Sequence, residues 1–439
     1  MQRIFVFLFL LNLPVLAQTE RTYYERIQPI IAKNCVVCHQ PGGIGPFSLL
    51  SYQDVAKRAQ FVAKVTTTRY MPPFPADRSF QHYANERGLT EAEMEQIRQW
   101  AAEKQEKGKG WKGKVEKEKD GAVRAESEKG QFSGGRNEEK NSLVTPDLSL
   151  KMQQPFQIPN TSTEEFRYFY LPTNLQKDMF VETIEFLPGN RKVLHHSRVM
   201  VDTSGKMADI EGIRADDETL QTFQKIPMAD QFLYGWVPGN DQIHFPKGIA
   251  KRIPAKANLV LNLHYSPSAK PQTDQSVINF YAAKTPVERE VQSLTLYEAH
   301  ISNPPFLIKA NTRPTFYINH GPIQEAISAI SILPHLHWLG KSFKAFAITP
   351  DGDLVPLVKI DNWDFNWQMT YQFEKLLYVP KGSVIIAEAT YDNTIENPLN
   401  PFTPPRDVSY GWNTTSEMME LVIYYVPYRA GDEHISQNK

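Results

Sequence analysis

The apolar positions of this chain change period twice, and the changes divide it into three blocks. From about Glu20 to Lys104 the spacing is helical. Ile27, Ile30, Ile31 and Cys35 fall on one helical face, and Met94, Ile97 and Ala101 form a second stripe with Trp100 beside it. Thr90-Glu91-Ala92-Glu93 predicts a capping box, in which Thr90 and Glu93 satisfy each other's backbone N–H groups, with Leu89 and Met94 placed as a hydrophobic staple. Residues 105–142 are rich in Lys, Glu and Gly and nearly empty of apolar side chains. Such a segment cannot bury enough surface to offset its ordering entropy, so it reads as a solvated, flexible linker, with a charged docking segment as the alternative. From residue 143 onward the period becomes two. Lys192–Val201, Ala257–Tyr265, Ala329–His337, Val384–Tyr391 and Glu420–Val426 alternate, and Pro-Gly, Gly-Asn and Asp-Gly turns punctuate them. The fold class is therefore multidomain: a small helical domain followed by an all-β region. No Gly-rich phosphate loop, βαβ rhythm or internal repeat is visible.

The N-terminus changes the picture of where the chain works. Arg3, the apolar run Ile4 to Leu11, and Val15-Leu16-Ala17 before Gln18 read as a signal peptide over residues 1–17. The alternative is an uncleaved anchor, but Asn12 and Pro14 interrupt the run and leave it short for a span. No later segment is apolar for long enough to cross a bilayer, so the mature chain is expected to be periplasmic or secreted, without a membrane span. A net charge of -1 over 439 residues gives no electrostatic reason to expect nucleic acid or acidic lipid as a partner. The only two cysteines lie in Cys35-Val36-Val37-Cys38-His39, so no structural disulfide is available.

In a CxxCH motif the two thiols add to haem vinyl groups and the histidine binds iron. Cys35 and Cys38 are thus expected to attach a c-type haem covalently, with His39 as proximal ligand and Met71, in Tyr70-Met71-Pro72-Pro73, as distal ligand. His82 is the rival distal ligand. A structural zinc site would need further cysteines, and a thioredoxin-like pair would need a βαβ setting; the chain has neither. The segment from about Tyr23 to Ala102 resembles small c-type cytochromes, closest to those with a Pro46-Phe47-Ser48-Leu49 stretch after the cysteines and Met71-Pro72-Pro73 further on.

Five histidines of the β block stand in suggestive settings. His335 and His337, in Pro334-His335-Leu336-His337-Trp338-Leu339-Gly340-Lys341, are two apart, so on a strand they share a face and can share a metal. Adjacent His195 and His196 would point to opposite faces, and both could reach one metal only at a strand end, a bulge or a strong twist. His264 sits in Leu261-Asn262-Leu263-His264-Tyr265. Met418, in Glu417-Met418-Met419-Glu420-Leu421, is by itself most simply a core residue; as a thioether it would favour Cu(I) beside imidazoles. His82, His244, His300, His320 and His434 read as loop or packing residues.

Taken in order, HH, LHY, PHxHxxGK and EM before an apolar strand resemble the copper type II, ascorbate-dependent monooxygenases, the family of peptidylglycine α-hydroxylating monooxygenase and dopamine β-monooxygenase. Trp236-Val237-Pro238-Gly239, Tyr391-Asp392-Asn393 and Asn397-Pro398-Leu399-Asn400-Pro401 support it, and the similarity spans about Pro146 to Tyr425. The resemblance implies two β-sandwich, jelly-roll-like domains, 143–300 and 301–430, with one copper ion each, facing across a cleft. It implies His195, His196 and His264 on an electron-storing copper, and His335, His337 and Met418 on the copper where O2 and substrate react. Met418 is preferred to Met419 because it directly follows Glu417; alternation then turns Met418, Glu420 and Val422 toward the site and Met419, Leu421 and Ile423 behind it.

The departures bear on substrate. The family's animal enzymes carry disulfides, whereas this β block has no Cys. The peptide-amidating member binds a substrate carboxylate with an Arg two residues before its His-x-His pair and a Tyr four after its Met; here these are Leu333 and Val422. Glu420 replaces a polar amide on the same face and would repel a carboxylate, so a C-terminal glycine peptide is rejected and a neutral or cationic small molecule preferred. The expected activity is that of an exported haem–copper monooxygenase acting on a small molecule with O2, with electrons entering through the haem (20–104) from an external donor, ascorbate or a redox protein. The alternative classes are a copper-binding or electron-carrier module without hydroxylase activity, and a structural β domain whose histidines are incidental.

Overall fold

A computed structural model describes residues 22–41, 43, 45–109, 145–160, 162, 164–214, 217, 232–238, 242–411 and 415–437. The signal segment 1–17, residues 110–142 of the linker and Gly239 lie outside them. Among the described residues, 40% are strand and 13% helix, so β structure dominates, as the alternation predicts. The chain forms two compact units.

In the helical unit, Tyr23–Ile27, Gln28–Asn34, Tyr52–Ala56, Ala59–Thr67 and Glu91–Lys109 surround a core that includes Ile27, Ile30, Ile31, Val62, Ile97 and Trp100. The predicted capping box is present: the backbone N–H of Glu93 donates to Thr90 Oγ1 at 3.2 Å and that of Thr90 to Glu93 Oε2 at 2.8 Å. The helix it starts runs to Lys109, five residues into the segment expected to be linker. Once a helix is nucleated and capped, each added residue contributes its own hydrogen bond, and the Glu95–Arg98 pair supports the exposed face.

The β unit contains two layered pairs of sheets. In the first pair, one sheet has the order Leu148–Lys151, Val277–Ala282, Met179–Leu187, Ile249–Ile253, Arg289–Glu290, with Gln242–His244 also paired to Met179–Leu187. Its partner has the order Ile213–Arg214, Glu165–Pro172, Asn258–Tyr265, Leu194–Asp202, Phe232–Trp236. The second pair sets Gln292–Leu296, Glu420–Pro427, Ile327–His335, Tyr371–Val379 against Thr315–His320, Val384–Tyr391, Gly340–Ile348, Leu354–Ile360. Strand Gln292–Leu296 pairs with Glu420–Pro427, so the second sandwich begins before the expected boundary at 300/301. It also extends past 430, where Asp432 accepts from Arg289 and Ser436 bridges Lys375.

Two further features depart from separate sandwiches facing across a cleft. Met419, Leu421 and Ile423 belong to the second core, while Val422, Tyr424 and Val426, on the other face of the same strand, belong to the first. One sheet thus serves two cores, which places the first sandwich against the second. The segment Phe74–Glu86, expected within the helical domain, belongs to the β unit. Ala76 and Tyr83 are buried there, and Tyr83 stacks on Phe373 and donates its hydroxyl to Leu357 O at 2.8 Å. This strap lacks helical spacing, and its aromatic residues find their burial on the β core. His82 lies in it, exposed and paired with Glu86 at 3.1 Å.

Candidate metal centres

His196 and His264 are cross-strand neighbours in register, but the next pair is Leu194 with Tyr265. His195 is therefore the extra residue of a β-bulge, which turns its side chain toward the same site as its neighbour's. One nitrogen from each of His195, His196 and His264 lies within 4.8 Å of the others. His196 Nδ1 and His264 Nδ1 are 3.1 Å apart. Two metal–nitrogen bonds of about 2.0 Å spanning a tetrahedral angle give an edge close to that distance. His195 Nδ1 is buried and has no hydrogen-bond partner. Phe166 stacks on His264 at 4.1 Å and fixes its ring plane. Burial, then the neighbouring imidazoles, holds His196 and His264 well below the usual histidine range. Both are neutral near pH 7, the form that binds metal.

The second pair forms differently from the strand geometry expected of it. The strand ends at His335, and His337 sits in the following turn. The two rings still approach to 5.1 Å. Gly340 permits the turn, since a Cβ there would lie 2.8 Å from both Leu336 and Trp363. His335 Nδ1 bonds Gln368 Oε1, His337 Nδ1 bonds Ser416 O at 2.9 Å, and His335 Nε2 is left buried without a partner. With an oxygen acceptor on Nδ1 of each ring, the Nε2 lone pairs are the ones offered to a metal. Met418 is buried. Glu417 pins its segment by accepting from His337 N at 2.9 Å and Leu339 N at 2.6 Å, and Met418 O accepts from the Tyr391 hydroxyl at 2.7 Å. Burial pushes the Glu417 carboxyl up to about 8, opposed by these N–H donors.

The two constellations adjoin one cavity. His196, Arg198 and Trp236 from the first sandwich and Leu333, His335 and Glu420 from the second line a space of about 20 Å³, room for about one water molecule. Arg198 Nη2 donates to Glu420 Oε2 at 2.8 Å, and both side chains are largely buried. Phe365 packs between the centres, its ring 5.7 Å from His264, 5.9 Å from His196 and 6.0 Å from His337. Arg198 was legible in principle, since it lies two residues beyond His196 on the same strand face. Phe365 and Gln368 come from a loop with no pattern to mark them.

In the helical unit, backbone bonds from Cys38 N and His39 N to Cys35 O continue the turn through the motif, which sets both thiols and the imidazole around one turn. His39 Nδ1 bonds Phe47 O at 3.0 Å, leaving Nε2 available. Gly45 is required there, because a Cβ would lie 2.6 Å from His39 Nδ1. Neither cysteine is in a disulfide, and burial pushes the Cys35 thiol up to about 12. Phe61, half exposed, packs on Phe47 beside His39. Met71 N bonds Val65 O at 3.0 Å. Of the other histidines, His244 bonds Thr183 and His300 accepts from Tyr297 N.

No curated protein matches the chain. Among solved structures, the major capsid protein P2 of bacteriophage PM2 shares 11% identity over 65% of this chain and 98% of its own, at a TM-score of 0.27. An allantoicase from Saccharomyces cerevisiae shares 10% over 62% and 81%, at 0.16. Likeness at this level carries no meaning for function. No helix among the described residues is long and apolar enough to cross a membrane. Residues 316–436, which include His335, His337 and Met418, match the family model of the copper type II ascorbate-dependent monooxygenase C-terminal domain, and this part of the chain carries that family's signature.

Proposed function

We propose that this chain is an exported monooxygenase that uses two copper ions to place one oxygen atom of O2 into a C–H bond of a small neutral molecule, the other oxygen leaving as water. Two electrons and two protons complete the balance, the electrons entering through a c-type haem on Cys35, Cys38 and His39. The observation that carries the reading is the cavity walled by His196 on one side and His335 on the other. Bound copper would supply one-electron steps and a position for O2. The chain's own residues do the rest. Gln368 and Ser416 O orient the two imidazoles, Leu333 and Trp236 give the cavity an apolar wall, and Phe365 keeps water from between the centres.

Glu420 bears on substrate differently than its sequence position implied. Arg198 compensates its charge, so the wall offers no free carboxylate for a cation. That favours a neutral substrate.

For the haem, His39 with its Nδ1 engaged by Phe47 O, two cysteines outside any disulfide and the exposed Phe61 ring packed on Phe47 fit the group. Met71 would supply a second ligand to its iron.

Metal analysis of the exported chain is expected to give two copper ions and one iron. Met418→Ala should lower O2-dependent substrate turnover by more than the roughly 10–100-fold typical of outer-shell changes, while the Cu(II) EPR signal of the three-His centre persists. A variant that loses only affinity and keeps turnover would favour a copper carrier. Stopped-flow reduction of the haem should be followed by loss of the Cu(II) signal; haem that stays reduced beside oxidised copper would end the inlet reading.

A further inference from the structure

Glu164 precedes strand Glu165–Pro172 in the first sandwich, and its carboxylate Oε2 lies 3.3 Å from His264 Nε2. His264 is the neutral partner, so this is a polar contact between a carboxyl oxygen and an imidazole nitrogen, without the geometry of a hydrogen bond. His264 is fully buried, and its other nitrogen, Nδ1, is the one that meets His196 Nδ1. The metal-facing and carboxylate-facing nitrogens of this ring are therefore different atoms. Glu164 has a second neighbour: the Trp338 indole N–H lies within reach of its carboxyl and opposes the upward push of burial. Trp338 belongs to the second sandwich, one residue beyond His337, and its ring packs on Phe365 at 4.7 Å. A residue adjoining one centre thus holds the carboxylate that touches a ligand of the other.

We propose that Glu164 is the outer carboxylate of the three-His centre and that Trp338 positions it, so that the second sandwich takes part in tuning the metal held by the first. The inference rests on the copper reading above and adds two positioning residues to it. A carboxylate on the far nitrogen makes an imidazole a stronger donor and fixes its tautomer. Stronger donation favours Cu(II) over Cu(I) and lowers the potential of the centre.

The test uses the full chain with copper alone as the probe. Copper affinity is measured by chelator competition, the potential by redox titration of the Cu(II) EPR signal, and the fold by thermal unfolding. Glu164→Gln keeps the shape and removes the charge; Trp338→Phe keeps the stack and removes the N–H. Glu164→Gln is expected to weaken Cu(II) at the three-His centre by about 10–100-fold and to raise its potential. Trp338→Phe should shift both in the same direction by less, and should add nothing in the Glu164→Gln background. Wild-type affinity and potential in Glu164→Gln would overturn the proposal, as would a Trp338→Phe effect of equal size in both backgrounds. Wild-type chain that binds no copper at His195, His196 and His264 would instead remove the functional reading itself.

Discussion

Gln368 decides which nitrogen His335 presents. Its amide oxygen bonds Nδ1 while its amide nitrogen donates to Phe365 O at 2.9 Å, so the side chain is oriented at both ends. An oxygen acceptor at Nδ1 requires a proton there, which leaves the lone pair on Nε2. Gln368→Leu would leave a buried N–H without a partner, a cost of about 1–3 kcal/mol. It would also free the ring to change tautomer. Copper affinity at His335 and His337 should fall about 10–100-fold, read by chelator competition, with the three-His centre unchanged. Met418 and Met419 show how little local sequence separates a ligand candidate from a core residue. Both are buried; Met419 belongs to the second core, while Met418 is carried beside His337 by Glu417.

At the scale of elements, the sharpest lesson is the bulge. Alternation argues that adjacent histidines diverge, and the register Leu194–Tyr265 followed by His196–His264 removes the conflict by leaving His195 unpaired. The strap Phe74–Glu86 is the other element decided late. Asp77 fastens it: its carboxylate accepts from Ser79 N and Oγ at 2.9 and 2.6 Å and from Lys359 Nζ at 3.0 Å. The Ser79 and Lys359 donors hold the Asp77 carboxyl down to about 2, from an ordinary value of 3.8. A carboxyl depressed in the folded state contributes stability above its unfolded value and loses it as pH falls through its folded value. The strap should therefore loosen between about pH 4 and pH 2, by about 1 kcal/mol or less because the pair is partly exposed. Hydrogen exchange at Asp77 N, bonded to Lys359 O at 2.7 Å, is the measurement. Asp77→Asn should flatten the response.

At the scale of the whole molecule, the strap changes what a cut would do. Residues 105–142 carry many lysines and read as a linker, so trypsin is expected to cleave there first. The fragment before the cut contains Phe74–Glu86, which belongs to the β unit. Both fragments should therefore co-elute in gel filtration. Tyr83→Ala, a loss of about 3–5 kcal/mol by analogy with other buried aromatic truncations, should release the smaller one; separation in the wild type would show that the strap does not hold. The sheet containing Glu420–Pro427 likewise joins the sandwiches, since Tyr424 packs in the first core and donates its hydroxyl to Leu233 O at 2.6 Å. Much of this organisation was legible without coordinates. Helical and alternating periods are local consequences of backbone geometry, so the Thr90 capping box, the strand around His264 and the inward and outward sides of Glu420–Val426 could be read from spacing alone. The placement of Cys35, Cys38 and His39 around one turn is local for the same reason. What only the tertiary structure decided are the contacts between residues distant in sequence: Arg198 on Glu420, Trp338 near Glu164, Gln368 on His335, and the strap on the β core. Each depends on how strands and loops stack and register across the molecule, and no period along the chain encodes a partner tens to hundreds of residues away.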